Sequence, residues 1–395
     1  MKKNTWLIIA AVVVVVGGFM LFSGKDKAPE TASAPAETAP AAEAPAEVTK
    51  IGIITPTTSQ GEEEYRAAEE LIKRFPGRVL HVTYPDKFMD EQETTMQQIL
   101  TLASDPAVKA IVMGQGYPGT AAAIDKVHDS RPEVIFINVV PHEDPALAVQ
   151  KSVYLMESDN PARGRSIIEL SKQMGAKTFV HYSFPRHMAM APLAERRDLF
   201  EQTCKEIGVE FVSVNAPDPT GDAGIAGAQQ FILEDVPRQV AKYGKETAFF
   251  STNCGMQEPL IRAVMQTGAI YPEQCCPSPY HAYPGALGIE IPADKAGDVD
   301  FLIEQINAKV KEAGAEGRMA TWKVPSNMAM IYAAADYGFE YADGKIGAEF
   351  DQPEAEALLK KYAGENIQIK LYKGKDGVEI PRFIVFVGES VIFGQ

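Results

Sequence analysis

Residues 50–75 read KIGIITPTTSQGEEEYRAAEELIKRF, and the order of the two halves of this stretch decides the fold class. Residues 50–55 form a short apolar, β-branched run, the signature of a buried strand. A polar loop follows at 56–61. Residues 62–75 then place Tyr65, Ala68, Leu71, Ile72 and Phe75 at helical spacing along one face. Working outward, the same unit recurs. Strands are predicted at 79–84, 110–113 and 133–139, separated by helices at 91–103 and 120–128. A second series follows: helix 162–174, strand 178–182, helix 193–207, strand 210–214, helix 225–243, strand 247–252 and helix 257–266. The rest reads as strand 285–291, helices 299–313 and 328–341, and strands 367–372 and 382–387. Strands alternating with helices mean parallel sheets covered on both faces. Each half carries four or five such strands, and twisted sheets seldom grow much wider, so the expectation is an α/β protein with two Rossmann-like lobes.

The chain has 395 residues, with 38 Lys+Arg against 53 Asp+Glu, a net charge of −15. This length suits two domains plus appendages. The acidic balance excludes a typical nucleic-acid binder, which needs a basic face to neutralise phosphates. Residues 1–4 are a short basic head, and residues 6–22 (WLIIAAVVVVVGGFMLF) carry no charge. A helix of that length spans roughly 25 Å at about 1.5 Å per residue. The large residues Leu21 and Phe22 stand where a signal peptidase wants small ones, and no Cys precedes Cys204. Residues 1–25 therefore read as an uncleaved signal anchor, with a cleaved secretory signal as the alternative. Residues 26–49, rich in Ala, Pro and Glu, read as a disordered tether. With Lys2 and Lys3 inside, the body is expected beyond the cell membrane, on the periplasmic side of a single-pass anchor, or free in the periplasm after cleavage.

The body resembles a known architecture. The opening KIGIIT with its polar loop, the phrase DPAVKAIVMGQG at 105–116 and the following RPEVIFINVV at 131–140 resemble the first lobe of type I periplasmic binding proteins. SVYLMESDNPARGRSIIELSKQMGAKTFVHYS at 152–183 is similar to their passage into the second lobe, and TAFFSTNCGMQEPLIRAVMQTG at 247–268 to a late strand and helix there. The resemblance covers about residues 50–345 and extends to a poorly characterised group of exported bacterial proteins described as lipoproteins, whose lipid-bearing Cys this chain lacks. It implies two lobes joined by a three-stranded hinge, with crossings near 153–158, 288–292 and 364–368. The first lobe would then be 50–154 plus 292–363, and the second 155–291 plus 364–395. It also implies a solute-binding protein for an ABC-type transporter or a membrane sensor, with a small-molecule ligand, a permease or receptor as partner and no cofactor.

Ligands of parallel α/β sheets bind at the carboxyl ends of strands. That rule nominates Thr57, Thr58, Ser59 and Gln60 after the first strand and Asp86 after the second. It nominates Gly114, Gln115, Gly116 and Tyr117 after the third, and Asn138 after the fourth. In the second half it nominates Asp159, Asn160, Arg163, Ser183, Arg186, His187, Asn215, Asn253, Cys254 and Tyr280. Hydroxyls and amides offer neutral donors and acceptors, aromatic rings such as Tyr65 and Phe184 can stack, and Arg163 or Arg186 can grip a carboxylate or phosphate. Each residue also has a plainer reading. Thr58 and Ser59 can cap the first helix. Gly114-Gln115-Gly116 can be a tight turn. Asp159-Asn160-Pro161 is a good helix start whatever else it does, and Glu62-Glu63-Glu64 reads as a solvated one.

The six histidines show no metal-ligand spacing, and no metal site is expected. Cys204 falls on an apolar face and reads as a buried thiol. A bond from Cys254 to Cys275 or Cys276 stays open, although the helix between them should carry the chain to the opposite end of the sheet. No G-x-S-x-G elbow, Walker A loop or H-E-x-x-H occurs, so no catalytic residue is assigned and the protein reads as a non-enzyme. The alternative is an exported enzyme using the same cleft on a glycoside or nucleoside.

Overall fold

The apolar run at the head of the decisive stretch is buried over its last five residues, and everything else is laid around it. The computed structural model describes residues 48–395, which lie within one unit. The first lobe takes β1 (Lys50–Thr55), α1 (Thr58–Arg74), β2 (Val79–Thr83), α2 (Gln92–Ala103), β3 (Val108–Gly114), α3 (Thr120–His128), β4 (Ile135–Val139), α4 (Pro145–Lys151) and β5 (Tyr154–Ser158). The second lobe takes α5 (Asn160–Gln173), β6 (Thr178–Ser183), α6 (Pro185–Met188), α7 (Ala191–Ile207), β7 (Glu210–Asn215), α8 (Gly224–Tyr243) and β8 (Thr247–Ser251), then α9 (Gln257–Thr267), α10 (Tyr283–Leu287), α11 (Val299–Glu312) and β9 (Ala320–Trp322). The chain returns to the first lobe for α12 (Ser326–Ala342), α13 (Gln352–Ala363), β10 (Gln368–Lys373) and β11 (Glu379–Val387), and ends in the second with β12 (Ser390–Ile392).

The first sheet runs β10-β11-β5-β4-β3-β1-β2, parallel except for the antiparallel edge strand β10. The second has β6 between β7 and β8, all parallel. It is prolonged by single bridges, Ala248 to Ile270 and Tyr271 to Met319, and β9 pairs antiparallel with β12. The central strands of each sheet are buried on both faces, as crossover helices require, while the edge strands β7 and β10 stay largely exposed. Ile51, Ile53 and Val112 pack under α1, α12 and α13, while Ile54, Ile111 and Met113 pack under α2 and α3. In the second lobe Val180, Tyr182 and Phe249 meet α8, α9 and α11, and Phe179 and Phe250 meet α5 and α7.

The two-lobed α/β architecture and its three crossings agree with the sequence, but the crossings fall elsewhere. β5 stays in the first sheet to Ser158, so residues 155–158 belong to the first lobe. α11 buries Leu302, Ile306 and Val310 among residues of the second lobe, so the second crossing follows Trp322 rather than residue 292. β10 and β11 join the first sheet, which moves the third crossing from 364–368 to between residues 387 and 390. The reason is that helical spacing marks which face of α11 is apolar, not which sheet receives it. The strand expected at 285–291 is instead α10, closed by Gly288 at φ +64°. α13 escaped notice although Asp351 caps it and Pro353 opens it. The anchor read at 1–25 lies outside the described residues, as does the tether at 26–49 apart from Val48 and Thr49. No helix among the described residues is long and apolar enough to cross a membrane.

Candidate functional site

Both sheets point the carboxyl ends of their strands at the gap between the lobes. An inner chamber of about 50 Å³ lies there, lined by Gln115, His142 and Glu157 on one side and by Asn160, His187, Arg196, Thr252, Asn253, Cys254, Cys275 and Cys276 on the other. It shares Pro141, His142 and Met190 with an outer chamber of about 290 Å³ that reaches Arg186 and Glu143. A third space of about 430 Å³, lined by Thr58, Ser59, Gln60, Gln229 and His281, meets the inner one at Cys254.

The inner chamber is unusually rich in polar atoms with no hydrogen-bond partner among the described residues. Arg196 is 1% exposed. Its Nη1 donates to Asn160 Oδ1, but Nε and Nη2 have no acceptor. Asn160 in turn donates to Glu157. His187 meets Thr252 Oγ1 through Nδ1 at 3.0 Å while its Nε2 is unpaired, and Nδ1 of His142 is unpaired too. Such groups are rare because each costs free energy comparable to a lost hydrogen bond. Burial sets their charges. It pushes Glu157 up to about 8 against the pull of Arg196 and Asn160, so the acid is protonated at neutral pH. It pulls His142 down to about 3, and His187 well below its ordinary value, with Arg186 adding to both. Arg196 falls to about 9 and remains cationic. The chamber therefore sets one guanidinium beside two imidazoles and a carboxyl that are neutral at pH 7. Behind the chamber's His142 lies an aromatic cluster: Tyr117 meets His142 edge-on at 4.8 Å and stacks on Phe88 at 3.6 Å.

Of the Glu62-Glu63-Glu64 run only Glu62 is solvated as the sequence suggested. Gly61 leaves helical geometry and turns the next residues inward, so that Glu63 and Glu64 are 2% and 1% exposed. Glu64 accepts from Gln115 Nε2 and Asn327 Nδ2, both at 2.6 Å. Glu63 accepts from Ser278 Oγ of the second lobe, a direct tie across the cleft. Burial raises Glu64 to about 7 and Glu63 further above the carboxyl range.

The nominated residues divide by what they touch. Gln115, Asn160, His187 and Asn253 line the inner chamber, Arg186 the outer one, and Thr58, Ser59 and Gln60 the third. Tyr117 is packed behind Gln115, to which its hydroxyl donates. Others are used up by the fold. Arg163 donates to Glu273, Ser158 and the carbonyls of Gln274 and Cys275, which occupies four of its five N–H groups. Arg186 is held bidentate by Asp218 at 2.8 and 3.0 Å. Asp159 caps α5 and pairs with Lys370 at 2.6 Å. Ser183 bonds to Thr252, and Thr57 to Asp86. Gly114 sits under Ile331, and Gly116 faces Asn138 so closely that a Cβ would lie 2.3 Å from its Nδ2. Tyr280 lines a separate groove with Tyr332 and Arg66. Arg196, Glu157 and His142 were missed. The signal for Arg196 was present: it falls on the stripe of α7 that buries Phe200, Thr203 and Cys204. A charge on an apolar stripe is a conflict that a buried site resolves.

Cys204 is buried, and burial pushes its thiol up to about 12. The other three cysteines converge. Sγ of Cys254 lies 3.3 Å from that of Cys275 and 3.6 Å from that of Cys276, all three being free thiols. The chain does not end at the far side of the sheet after α9, because Ile270 and Tyr271 run forward again beside β8 and deliver Cys275 to the same end as Cys254.

A family model described as "Protein of unknown function (DUF3798)" matches residues 49–320. Two proteins of Treponema pallidum (strain Nichols), each described as uncharacterized, are similar in sequence. One is 40% identical over 179 residues, 43% of this chain and 80% of the relative. The other is 33% identical over 172 residues, 44% of this chain and 80% of the relative. A crystal structure from Clostridium difficile 630, of a protein provisionally described as a transcriptional regulator, superposes with a TM-score of 0.66 at 26% identity, covering 87% of this chain and 99% of that one. With that crystal structure the chain shares its two-lobed α/β fold. The chain belongs to the DUF3798 family.

Proposed function

We propose that this member of the DUF3798 family is an extracytoplasmic solute-binding protein, held at the membrane by its N-terminal segment, that closes its two lobes on a small polar ligand and presents it to an ABC-type permease or a membrane sensor. One observation carries the binding reading: the inner chamber gathers the unpaired Nε and Nη2 of Arg196, Nε2 of His187 and Nδ1 of His142 at the carboxyl ends of both sheets. Buried polar atoms without partners are what a polar ligand would satisfy: the Arg196 nitrogens donate, and each neutral imidazole nitrogen donates or accepts according to its tautomer. A fixed guanidinium beside neutral imidazoles favours a ligand with an anionic or strongly accepting oxygen group. The outer chamber, lined by Met89, Pro118, Pro141, Met190 and Pro192 beside Arg186, offers apolar surface for the carbon part of such a ligand. A DNA-binding role draws no support from a net charge of −15.

The test is a thermal-shift screen of the full-length protein against carboxylates, amino acids, sugars, nucleosides and phosphates. A ligand at 100 times its dissociation constant adds about 2.7 kcal/mol of stability. The expected hit is saturable, is not turned over, and weakens at least tenfold in Arg196→Lys, which keeps the charge but loses the planar fork. Product formation would replace the receptor reading with the enzyme one.

A further inference from the structure

We propose that Cys254, Cys275, Cys276 and His281 form a binding site for one thiophilic cation of the zinc(II) or copper(I) class, set in the second lobe where it faces the first. The site does not depend on the identity of the solute. The geometry points to it first. The Sγ atom of Cys254 lies 3.3 and 3.6 Å from those of Cys275 and Cys276. A ring nitrogen of His281 and the sulfurs of Cys254 and Cys275 all lie within 4.8 Å of one another. Around a tetrahedral ion with metal–sulfur bonds of about 2.3 Å, neighbouring sulfurs sit about 3.7 Å apart. The thiols are thus near coordinating separation and too far apart for a disulfide, whose S–S bond is about 2.05 Å.

The backbone holding these ligands is built and rigid. Asn253 caps the turn that carries Cys254, accepting from the amide of Gly255. Glu273 and Gln274, just before the paired cysteines, are clamped by Arg163, Trp322 and Thr321. His281 is oriented as metal-binding histidines are: its Nδ1 bonds to the carbonyl of Cys276 at 2.6 Å, which leaves Nε2 for an ion. Three sulfurs and one imidazole are a soft donor set, suited to zinc or copper(I) rather than to magnesium, calcium or manganese. Of the nearby carboxyls, Glu64 is engaged by Gln115 and Asn327 and Oε1 of Glu63 by Ser278, while Oε2 of Glu63 has no partner. Each thiol that ligates the ion gives up its proton to solvent, so affinity rises with pH, about tenfold per unit for each proton released. Cys254 lines both the inner and the third chamber, so the ion would form part of the cleft wall.

The test uses full-length protein, reduced, stripped with a chelator and titrated with zinc(II) and then cadmium(II), with no organic solute present. The expected result is one equivalent of either ion bound per chain, a thiolate-to-cadmium charge-transfer band in the ultraviolet, and displacement of bound zinc by the softer cadmium. His281→Gln should weaken binding at least tenfold, and Cys204→Ser should leave it unchanged. Bound zinc should protect three of the four cysteines from alkylation, a readout on the native chain that holds even where cysteine variants fail to fold. Absence of the band, equal alkylation of all four cysteines with and without zinc, or undiminished binding in a folded Cys254→Ser/Cys275→Ser variant would overturn the proposal. So would a Cys254–Cys275 disulfide in protein isolated without reductant. A solute hit in the thermal screen with no metal binding would overturn this site alone and leave the receptor reading standing.

Discussion

Arg163 and Arg196 show how two similar residues acquire opposite roles. Both are fully buried, but Arg163 is spent on Glu273 and on the carbonyls of Gln274 and Cys275, whereas Arg196 keeps two nitrogens unpaired in the cleft. The first is structural, because removing one partner of a buried ion pair strands the other. Glu157, beside Arg196, supplies a prediction in pH. Its folded value of about 8 lies above the ordinary carboxyl value near 4.3, so the folded state holds its proton more tightly than the unfolded chain. Its contribution is fully present below about pH 4.3 and is lost as pH rises through about 8. Glu157→Gln, which stays neutral, should flatten the fall in stability between about pH 5 and about pH 7.5 by up to about 1.4 kcal/mol per pH unit. Denaturant melts of both proteins across that window check it. A slope left unchanged would mean that Glu157 is ionised in the folded protein.

Among the elements, the α5–α7 pair positions the cleft most directly. Gly164 lets the two helices touch: a Cβ there would stand 2.6 Å from Cβ of Leu199 and 3.1 Å from the carbonyl of Arg196. An added methyl has no room, so α7 must shift and carry Arg196 with it. Gly164→Ala is expected to cost about 1–3 kcal/mol in stability. It should also weaken ligand binding, although residue 164 does not line the chamber. Paired measurements of Tm and Kd test this, and a stability loss with unchanged affinity would show that Arg196 is not the anchor. Such close approaches cannot be read from one helix alone. The repeats in α5 and α7 mark their buried faces, yet only the packed pair shows that a missing side chain on one fits the backbone of the other.

For the molecule as a whole, the Glu63–Ser278 hydrogen bond ties one lobe to the other beside the hinge-connected cleft. Leaving a buried polar group without its partner costs about 1–3 kcal/mol, and Glu63 would lose its donor. Ser278→Ala should therefore shift the population from closed toward open. An equilibrium shift of that size lowers apparent ligand affinity by up to about a hundredfold. Small-angle scattering should show a larger radius of gyration for the ligand-free variant. Equal radii and equal affinities would remove Glu63–Ser278 as a latch.

The sequence by itself determined the alternation of strands and helices, the two-lobed α/β class and the strand ends at which a cleft would form. Gln115, Asn160, His187 and Asn253 were legible there because residues just after strands of a parallel sheet necessarily face the same edge. Only the tertiary structure decided that α11 belongs to the second lobe and β10 and β11 to the first, since amphipathic spacing is local and does not name the surface it will cover. It alone separated a committed Arg163 from an available Arg196, and buried Glu63 and Glu64. Those outcomes depend on partners far away in the chain, Glu273 for Arg163, Ser278 for Glu63 and Asn327 for Glu64. The convergence of Cys254 with Cys275 and Cys276 has the same origin: Ile270 and Tyr271 bring the chain back to one sheet edge, and no spacing in the sequence records that return.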